Sequence, residues 1–261
     1  MPSMPCIMRV LWIDLIRREI YSRLSHSAVG WLWLAVTPLL LLAVYAFVFG
    51  VIFKARAPEG LGFPFVVWLA MGLWPWLAFS ESAVRAAGSI RQHTALISKI
   101  AINRSMLVLA VLSATFLLQL AGYAVVLITL ELMGIDVAWQ GLAHAMLILI
   151  TLYVLAAGLG LMLAACQVFF RDLEQLLPIA FMLWFFLTPI LYAPEFLPVD
   201  LQPLIWVNPM TWWMEALRSA LIEGQVLPDR TFLILAVGSG AVFLLGRWVF
   251  TRTSPYFEDF L

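Results

Sequence analysis

Apolar residues form six long runs along this chain, and short segments that carry most of the charges separate them. Each run reaches the ~20 residues that a helix needs to cross a hydrocarbon core about 30 Å thick. The pattern therefore predicts six membrane-spanning helices, at about 30–53, 63–84, 105–130, 142–169, 173–192 and 232–250. No internal repeat or linker divides these runs, so we expect residues 1–261 to form one all-α, polytopic membrane domain.

The segment before the first run, residues 7–24, has a different pattern. Ile13, Ile16 and Ile20 fall on one helical stripe, whereas Asp14 and Arg18 fall on another. Aromatic and basic residues accompany this pattern, which is typical of a helix that lies in the membrane interface. We predict an amphipathic interface helix here. Its charges arrive too early for a cleavable signal peptide.

The segment between the fifth and sixth runs is apolar and rich in Trp and Pro, but polar residues interrupt it: Glu195, Asp200, Asn208, Glu215 and Arg218. Each uncompensated charge in hydrocarbon costs several kcal/mol, so the segment suits a shallow return better than a crossing. A seventh span at about 204–222 would bury three of these residues and place Arg247 and Arg252 on the outer side. We predict a shallow, re-entrant segment instead.

The basic residues of the connections predict the orientation, because cytoplasmic loops carry an excess of Lys and Arg. With six spans, eleven lie on the side of both termini and four on the other. The eleven are Arg9, Arg17, Arg18, Arg23, Arg85, Arg91, Lys99, Arg104, Arg171, Arg247 and Arg252. Both termini are therefore predicted to be cytoplasmic.

Composition supports a membrane protein and excludes several other classes. Hydrophobic residues make up 64% and charged residues 11% of the chain, against roughly 45–50% and about 25% in soluble domains. The formal net charge of zero gives no field that would favour nucleic acid. Cys6 and Cys166 are far apart in sequence, and the three histidines are scattered. We therefore expect neither a disulfide framework nor a metal site.

The chain lacks an evident energy source of its own. It contains no Gly-Lys dipeptide and hence no phosphate-binding loop for ATP. Glu81 is followed one turn later by Arg85, and this spacing indicates a neutralised structural pair rather than a proton relay. If the energy comes from a partner, two cytoplasmic connections are candidate docking surfaces. These are 86–104, with Arg91 and Lys99, and the tight turn 169–175, with Arg171, Asp172 and Glu174. The plainer alternative is that both are ordinary solvated loops.

Aromatic residues form two groups by depth. Trp31, Trp33, Trp74 and Trp76 lie near predicted span ends and suit interface anchors. A deeper group lies inside the first and fifth runs: Tyr45, Phe47, Phe49, Trp184, Phe185 and Phe186. Packing or lipid contact is the default interpretation for each. The sharper hypothesis is that some line a path for sugars, whose apolar C–H faces stack on aromatic rings.

At this point the chain resembles a known family, the permease subunits of ABC exporters for polysaccharides of the O-antigen and capsule type, within the ABC-2 class. Permeases of teichoic-acid exporters are similar. The resemblance covers nearly the whole chain and rests on the order and spacing of several short motifs. They are residues 23–33, RLSHSAVGWLW, followed by Pro38-Leu39-Leu40; then Phe170-Arg171-Asp172-Leu173-Glu174, Thr188-Pro189-Ile190-Leu191-Tyr192 and Asn208-Pro209-Met210.

The resemblance implies a homodimer in the bacterial inner membrane, with one pore between the protomers and two copies of a separate ATPase subunit. That partner would bind ATP and Mg, and this chain would need no cofactor and perform no covalent chemistry. The interface helix, with Arg17 and Arg18, would join the two loops in coupling to the ATPase. Short re-entrant helices would form a periplasmic gate, whose candidate residues are Tyr192, Trp206, Asn208, Pro209, Trp212 and Trp213.

Two rival functions remain compatible with the sequence. A small-molecule or drug exporter of the ABC-2 class would share the topology; drug-stimulated ATPase activity would distinguish it. A polytopic membrane enzyme of glycan assembly would need clustered carboxylates or histidines near one membrane face, whereas the acidic residues here are dispersed.

Overall fold

The computed structural model describes residues 4–25, 30–54, 64–97, 103–225 and 229–260. Within these ranges the protein is helical and contains no β-strand. The α-helices are α1 (Met4–Leu24), α2 (Gly30–Tyr45), α3 (Phe65–Gln92), α4 (Thr94–Ile97), α5 (Arg104–Leu132), α6 (Leu142–Phe169), α7 (Leu173–Leu187), α8 (Gln202–Val207), α9 (Pro209–Leu221) and α10 (Asp229–Thr253). A π-helical turn, Ala46–Ile52, extends α2. Helix α2 and this π-helical turn thus form one continuous helical segment, Gly30–Ile52, at the predicted first span.

Helix α3 is the centre of the bundle. It packs against α5, α6, α7 and α9, and 21 of its 28 residues are buried. This burial comes from the helices packed around α3, because an apolar helix in a membrane can equally face lipid. Trp74 and Trp76, which the sequence suggested as interface anchors, are instead buried inside the protein, at 1% and 3% exposure.

Among the described residues, four helical segments are long and apolar enough to cross a membrane by length and composition: Gly30–Ile52, Arg104–Leu132, Trp139–Phe169 and Arg230–Glu258. Helix α7 is apolar but shorter, with 15 residues. It ends at Leu187, although the apolar run continues to Tyr192, because Thr188 precedes Pro189 and adopts an extended backbone. The residue before a proline is disfavoured in the helical conformation.

Helices α6 and α10 pack closely through glycines. A Cβ atom built on Gly246 would lie 2.0 Å from the carbonyl oxygen of Gly158, and one built on Gly158 would lie 2.5 Å from the backbone of Phe243. Without side chains at these positions, the two backbones approach closely, as is common between helices in membranes. This contact attaches α10 to the bundle.

The chain after α10 folds back onto the end of the bundle. Phe257 is fully buried and lies with its ring 5.8 Å from that of Phe169, at the end of α6. Arg104, at the start of α5, donates hydrogen bonds to the Ser254 carbonyl oxygen and to the Glu258 carboxylate. Residues 254–260 therefore connect α5, α6 and α10 at one end of the bundle.

Helix α1 packs along α5. Trp12 and Ile16 face a groove on α5 and α6, while Arg17 and Arg18 are exposed. Near its end, Glu19 accepts hydrogen bonds from Arg23 and lies 4.0 Å from His93, just beyond α3. One face of α1 thus contacts the bundle and the other carries charge.

Candidate functional site

An open groove of about 600 Å³ runs between α2, α3 and α7. Four aromatic side chains line it, namely Tyr45, Trp76, Phe181 and Phe185, together with aliphatic residues of the same helices. We call this feature the aromatic groove. Its floor is fixed, because it is provided by the buried helix α3.

The rings of the groove belong to a larger connected set. Trp76 contacts Phe79, Phe181, Trp184 and Phe185 with centroid distances of 5.9, 6.4, 5.7 and 5.9 Å. Most of these pairs are tilted or edge-to-face, which the quadrupoles of aromatic rings favour. Trp76 is therefore the hub that positions the aromatic surface.

The six predicted path residues have different surroundings. Tyr45 and Phe185 line the groove, Phe49 stacks on Tyr45 at 5.9 Å and Phe186 packs edge-to-face on Phe185 at 5.3 Å. Trp184 lies behind the groove, among the rings of α3. Phe47 is exposed and is outside the groove lining.

One end of the aromatic groove is polar, where Ser80, Glu81 and Arg85 line it. Glu81 accepts a hydrogen bond from the Arg85 Nε at 2.7 Å and another from the Gln119 amide. The predicted pairing of Glu81 with Arg85 is confirmed, and Gln119 of α5 completes it. The groove therefore combines aromatic side chains, of which Trp76, Phe181 and Phe185 are mostly buried, with hydrogen-bonding groups at one end.

Asn208 connects α7 to α9. Its Oδ1 accepts from the Trp184 indole at 2.9 Å and from the Met210 amide at 3.1 Å, so it caps α9. Its Nδ2 donates to the Leu187 carbonyl oxygen at 3.1 Å and to the Thr188 hydroxyl at 2.9 Å. Each polar atom of this side chain has two partners, so a predicted path residue and a predicted gate residue are directly joined.

Arg218 lies in the interior, with 3% of its side chain exposed. Its guanidinium stacks on Trp68, 3.5 Å from the ring centroid, and Nη1 donates to Glu215 at 2.7 Å. Nη2 points at the carbonyl oxygens of Trp68 and Ile190, at 3.5 and 3.4 Å. Burial lowers the pKa of Arg218, and the Glu215 carboxylate acts in the opposite direction. This cation joins α9 to α3 and to the segment after α7.

The other predicted gate residues surround these two anchors. The Tyr192 hydroxyl donates to the Phe186 carbonyl oxygen at 3.2 Å. The Trp212 indole donates to the Trp206 carbonyl oxygen at 3.0 Å, and Pro209 is the first residue of α9. Trp213 is buried and donates to the Thr151 hydroxyl of α6 at 3.0 Å. It thus attaches α9 to the bundle.

The two predicted docking loops meet at the opposite end of α3. Arg91, in the last turn of α3, lies 3.4 Å from Glu174, at the start of α7. Arg171 and Asp172 are exposed in the intervening turn, and the side chain of Phe170 beside them is 67% exposed. Lys99 falls outside the described residues. In the part of the chain that is described, no three His, Cys, Asp or Glu side chains are grouped as metal ligands.

The comparison with known sequences agrees with this architecture. Residues 11–222 match the family described as ABC-2 type transporter. The chain belongs to this family. The matched region includes every helix of the aromatic groove, together with α8 and α9, and it ends before α10 begins.

Curated relatives match this ABC-2 family member over most of their length. It is 25% identical over 252 residues to the O-antigen export system permease protein RfbA of Klebsiella pneumoniae, covering 96% of this chain and 95% of the relative. It is 30% identical over 239 residues to the protein of that name from Myxococcus xanthus, with 91% and 89% covered. The polysialic acid transport protein KpsM of Escherichia coli is 23% identical over 232 residues, with 89% of each chain covered.

Several residues of the site were not anticipated from the sequence of this ABC-2 family member. Trp76, Phe79 and Phe181 hold the groove together, and the spacing on α3 could have indicated Trp76. Leu73, Trp76, Leu77, Ser80, Glu81, Val84 and Arg85 recur at three- and four-residue intervals and share one face. That face ends at Glu81 and Arg85, which the sequence had already singled out.

Arg218→Lys tests the buried anchor in this ABC-2 family member. Lysine keeps the charge but loses the planar surface on Trp68 and the fixed fork of donors, and a desolvated cation–π contact is worth ~2 kcal/mol. We expect a clearly lower apparent midpoint in thermal unfolding of the detergent-purified protein. Arg230→Lys, an exposed position on α10, is the matched control and should leave the midpoint unchanged. Equal midpoints for the two variants would contradict the anchoring role.

Proposed function

We propose that this chain is the membrane permease subunit of an ATP-driven exporter that moves a lipid-linked polysaccharide, of the O-antigen or capsule type, across the bacterial inner membrane. The observation that carries the proposal is the aromatic groove with its polar end. On such a surface, aromatic rings contact the apolar C–H faces of sugars and polar side chains bond to their hydroxyl groups. The surface does not require one particular order of sugar units, and this suits a polymer that slides through a pore. The names of its relatives, an O-antigen export permease and a polysialic acid transport protein, support the same substrate class.

The groove is open along α2 and α7, so we propose that a second copy of the chain completes a pore. Helix α7 buries only Leu177, Phe181 and Phe185, and α2 buries only Gly30, Pro38 and Leu42. The apolar side chains that remain exposed on these helices include Val44, Phe47, Met182 and Phe186. A symmetric partner would cover such faces on both copies by the same contacts. In this homodimer the aromatic groove becomes part of the pore wall.

We propose six spans, formed by α2 with its π-helical extension and by α3, α5, α6, α7 and α10, with both termini cytoplasmic. Helices α8 and α9 form the re-entrant periplasmic gate. Helix α9 carries Glu215 and Arg218, charges that suit a shallow return better than a crossing, whereas α7, with 15 residues, continues into an apolar segment that reaches Tyr192. The interface helix α1 lies at the cytoplasmic surface.

Cysteine labelling distinguishes this topology from one with a seventh span. In a variant without native cysteines, Asp200→Cys and Gln225→Cys should both react with a membrane-impermeant thiol reagent from the periplasmic side, because both sites flank the gate and are exposed. Arg171→Cys serves as the cytoplasmic control and should react only after the membrane is opened. Cytoplasmic labelling of either test site would exclude the re-entrant arrangement.

Tyr45→Ala tests the proposed path of the polysaccharide along the aromatic groove. We expect surface polysaccharide to appear about fivefold more slowly, as for a loss of ~1 kcal/mol of ring contact, while the complex with the ATPase stays intact. Trp33→Ala removes an exposed ring of α2 that is outside the groove, and it should leave export unchanged. Normal export by Tyr45→Ala, with the same amount of protein in the membrane, would remove the aromatic groove from the mechanism.

A small-molecule exporter of the ABC-2 class remains the rival. Surface glycan unchanged on deletion of the chain, together with ATPase activity stimulated by small drugs, would favour that function. A preparation without any ATPase partner would instead favour a membrane enzyme of glycan assembly.

Energy is proposed to come from two copies of a separate ATPase subunit, which binds ATP and Mg. They would dock on the surface where Arg91 and Glu174 bring the end of α3 close to the start of α7. Arg171 and Asp172 lie between these two elements. The same proposed surface includes Arg17 and Arg18 of α1, and Lys99. The exposed ring of Phe170 supports a protein contact here, since an exposed aromatic beside charged residues is typical of interfaces. Closure of the ATPase pair would then displace α7, the groove wall that begins at this turn.

Arg171→Glu tests the docking surface. A like-charge contact in an interface costs several kcal/mol, so co-purification of the ATPase subunit should fall by at least about tenfold if an acidic partner faces Arg171. Arg230→Glu makes the same charge reversal at the start of α10, on the proposed periplasmic side, and should retain the partner. Undiminished co-purification with coupled ATP hydrolysis would show that Arg171 lies outside the docking surface.

A further inference from the structure

A second cavity, of about 640 Å³, lies on another side of the bundle from the aromatic groove. It opens between α1, α5 and α10, where Trp12, Arg104, Ser105, Arg247, Thr251 and Ser254 are among its lining residues. The cavity is at the end of the bundle where α5 begins and α10 ends. Neither the proposed path nor the proposed docking surface uses it.

The cavity has an excess of positive charge. Arg247 is exposed, and its guanidinium has no ion pair with any of the described residues. Arg104 is partly compensated, since it donates to the Ser254 carbonyl oxygen and to Glu258. The start of α5 adds the positive end of a helix dipole, where the side chain of Asn103 accepts from the Ser105 amide at 3.1 Å and its carbonyl oxygen accepts from the Met106 and Leu107 amides at 3.0 and 3.3 Å. The balance of these groups favours an anion beside Arg247.

An apolar groove of about 430 Å³ continues the cavity beyond Trp12, whose side chain lines both spaces. Ile16, Leu117, Leu120 and Ile150 are among its other lining residues. The two hydroxyl groups in its lining, those of Ser113 and Tyr153, are hydrogen-bonded to each other at 2.7 Å. An apolar occupant would therefore leave neither hydroxyl group without a hydrogen-bond partner.

We propose that these joined spaces bind one anionic phospholipid of the cytoplasmic leaflet. Its phosphate lies between Arg247 and Arg104, and one acyl chain follows α5 past Trp12 towards Leu120. From Arg104 to Leu120 the helix rises ~24 Å, enough for a headgroup and most of an acyl chain in one leaflet of a core about 30 Å thick. Basic pockets between helices at the cytoplasmic surface are suited to acidic headgroups.

The shape of the site favours a lipid over the other anions. A free phosphate ion would occupy only the arginine end and leave the apolar groove uncovered. The lipid would also contact α1, α5, α6 and α10 at once and so attach the interface helix to the bundle. The assignment assumes that this end of the bundle faces the cytoplasm, but it is independent of which substrate is exported.

Native mass spectrometry of the full chain tests the proposal. The protein is delipidated in mild detergent and titrated with phosphatidylglycerol or phosphatidylcholine, and the bound lipids are counted. We expect one tight phosphatidylglycerol per chain. Arg247→Ala should weaken its binding about fivefold, the effect of ~1 kcal/mol for one arginine near an anionic lipid. Arg252→Ala removes an exposed arginine of the same helix that is outside the cavity, and it should not change binding.

A second pair of variants tests the acyl-chain groove without changing charge. Leu117→Trp fills the groove and should weaken phosphatidylglycerol binding, whereas Ile128→Trp, at an equally exposed position of α5 outside the groove, should not. Equal binding by Arg247→Ala and Arg252→Ala would overturn the site. So would displacement of the lipid by inorganic phosphate alone. Recovery of a lipid-linked glycan, rather than a phospholipid, from this site would assign it to the substrate and overturn the proposal as stated.

Discussion

The guanidinium of Arg218 is enclosed by protein where α9 meets α3 and the segment after α7. A charge in such a place is tolerated only with a partner and with polar atoms around it, and removing one partner of a buried pair costs about 3–5 kcal/mol. Glu215 supplies the counter-charge and Trp68 the ring face. Even Gly72 is constrained, because a Cβ atom there would lie 2.8 Å from Nη2. The short helix α9 is therefore fixed to α3 by an interaction that no neighbouring lipid could replace.

The aromatic groove combines a rigid wall with a loosely held one. Helix α3 is buried by its neighbours, so Trp76 and Phe79 have fixed positions. Helix α7 contributes only three buried residues; Phe181 and Phe185 pack on Trp76, and polar contacts hold its two ends. At one end Glu174 pairs with Arg91, and at the other Trp184 and the last carbonyl groups bond to Asn208. One helix thus joins the end of α3, through Glu174, to the start of α9, through Asn208.

Much of this arrangement follows from the sequence, because apolar runs of sufficient length predict helices whatever their neighbours. A helix lies in each of the six apolar runs, and the i, i+4 pair of Glu81 and Arg85 is present. Contacts between segments that are far apart in the sequence were harder to predict. Gln119 completes that pair from 38 residues away, and Phe257 buries itself against Phe169. Tryptophan was ambiguous for a physical reason: its amphipathic ring suits both a membrane interface and a core contact, so Trp74 and Trp76 gave no sign of their burial.

The position of Arg218 in the chain also has a consequence for biogenesis. Trp68 and Arg218 are 150 residues apart, so their contact cannot form until α9 has left the ribosome. Until then the Trp68 side of α3 lacks the guanidinium that stacks on it, although α5, with Gln119, is already available to complete the pair of Glu81 and Arg85. Helix α3 is thus among the first helices to be translated and among the last to reach its final surroundings.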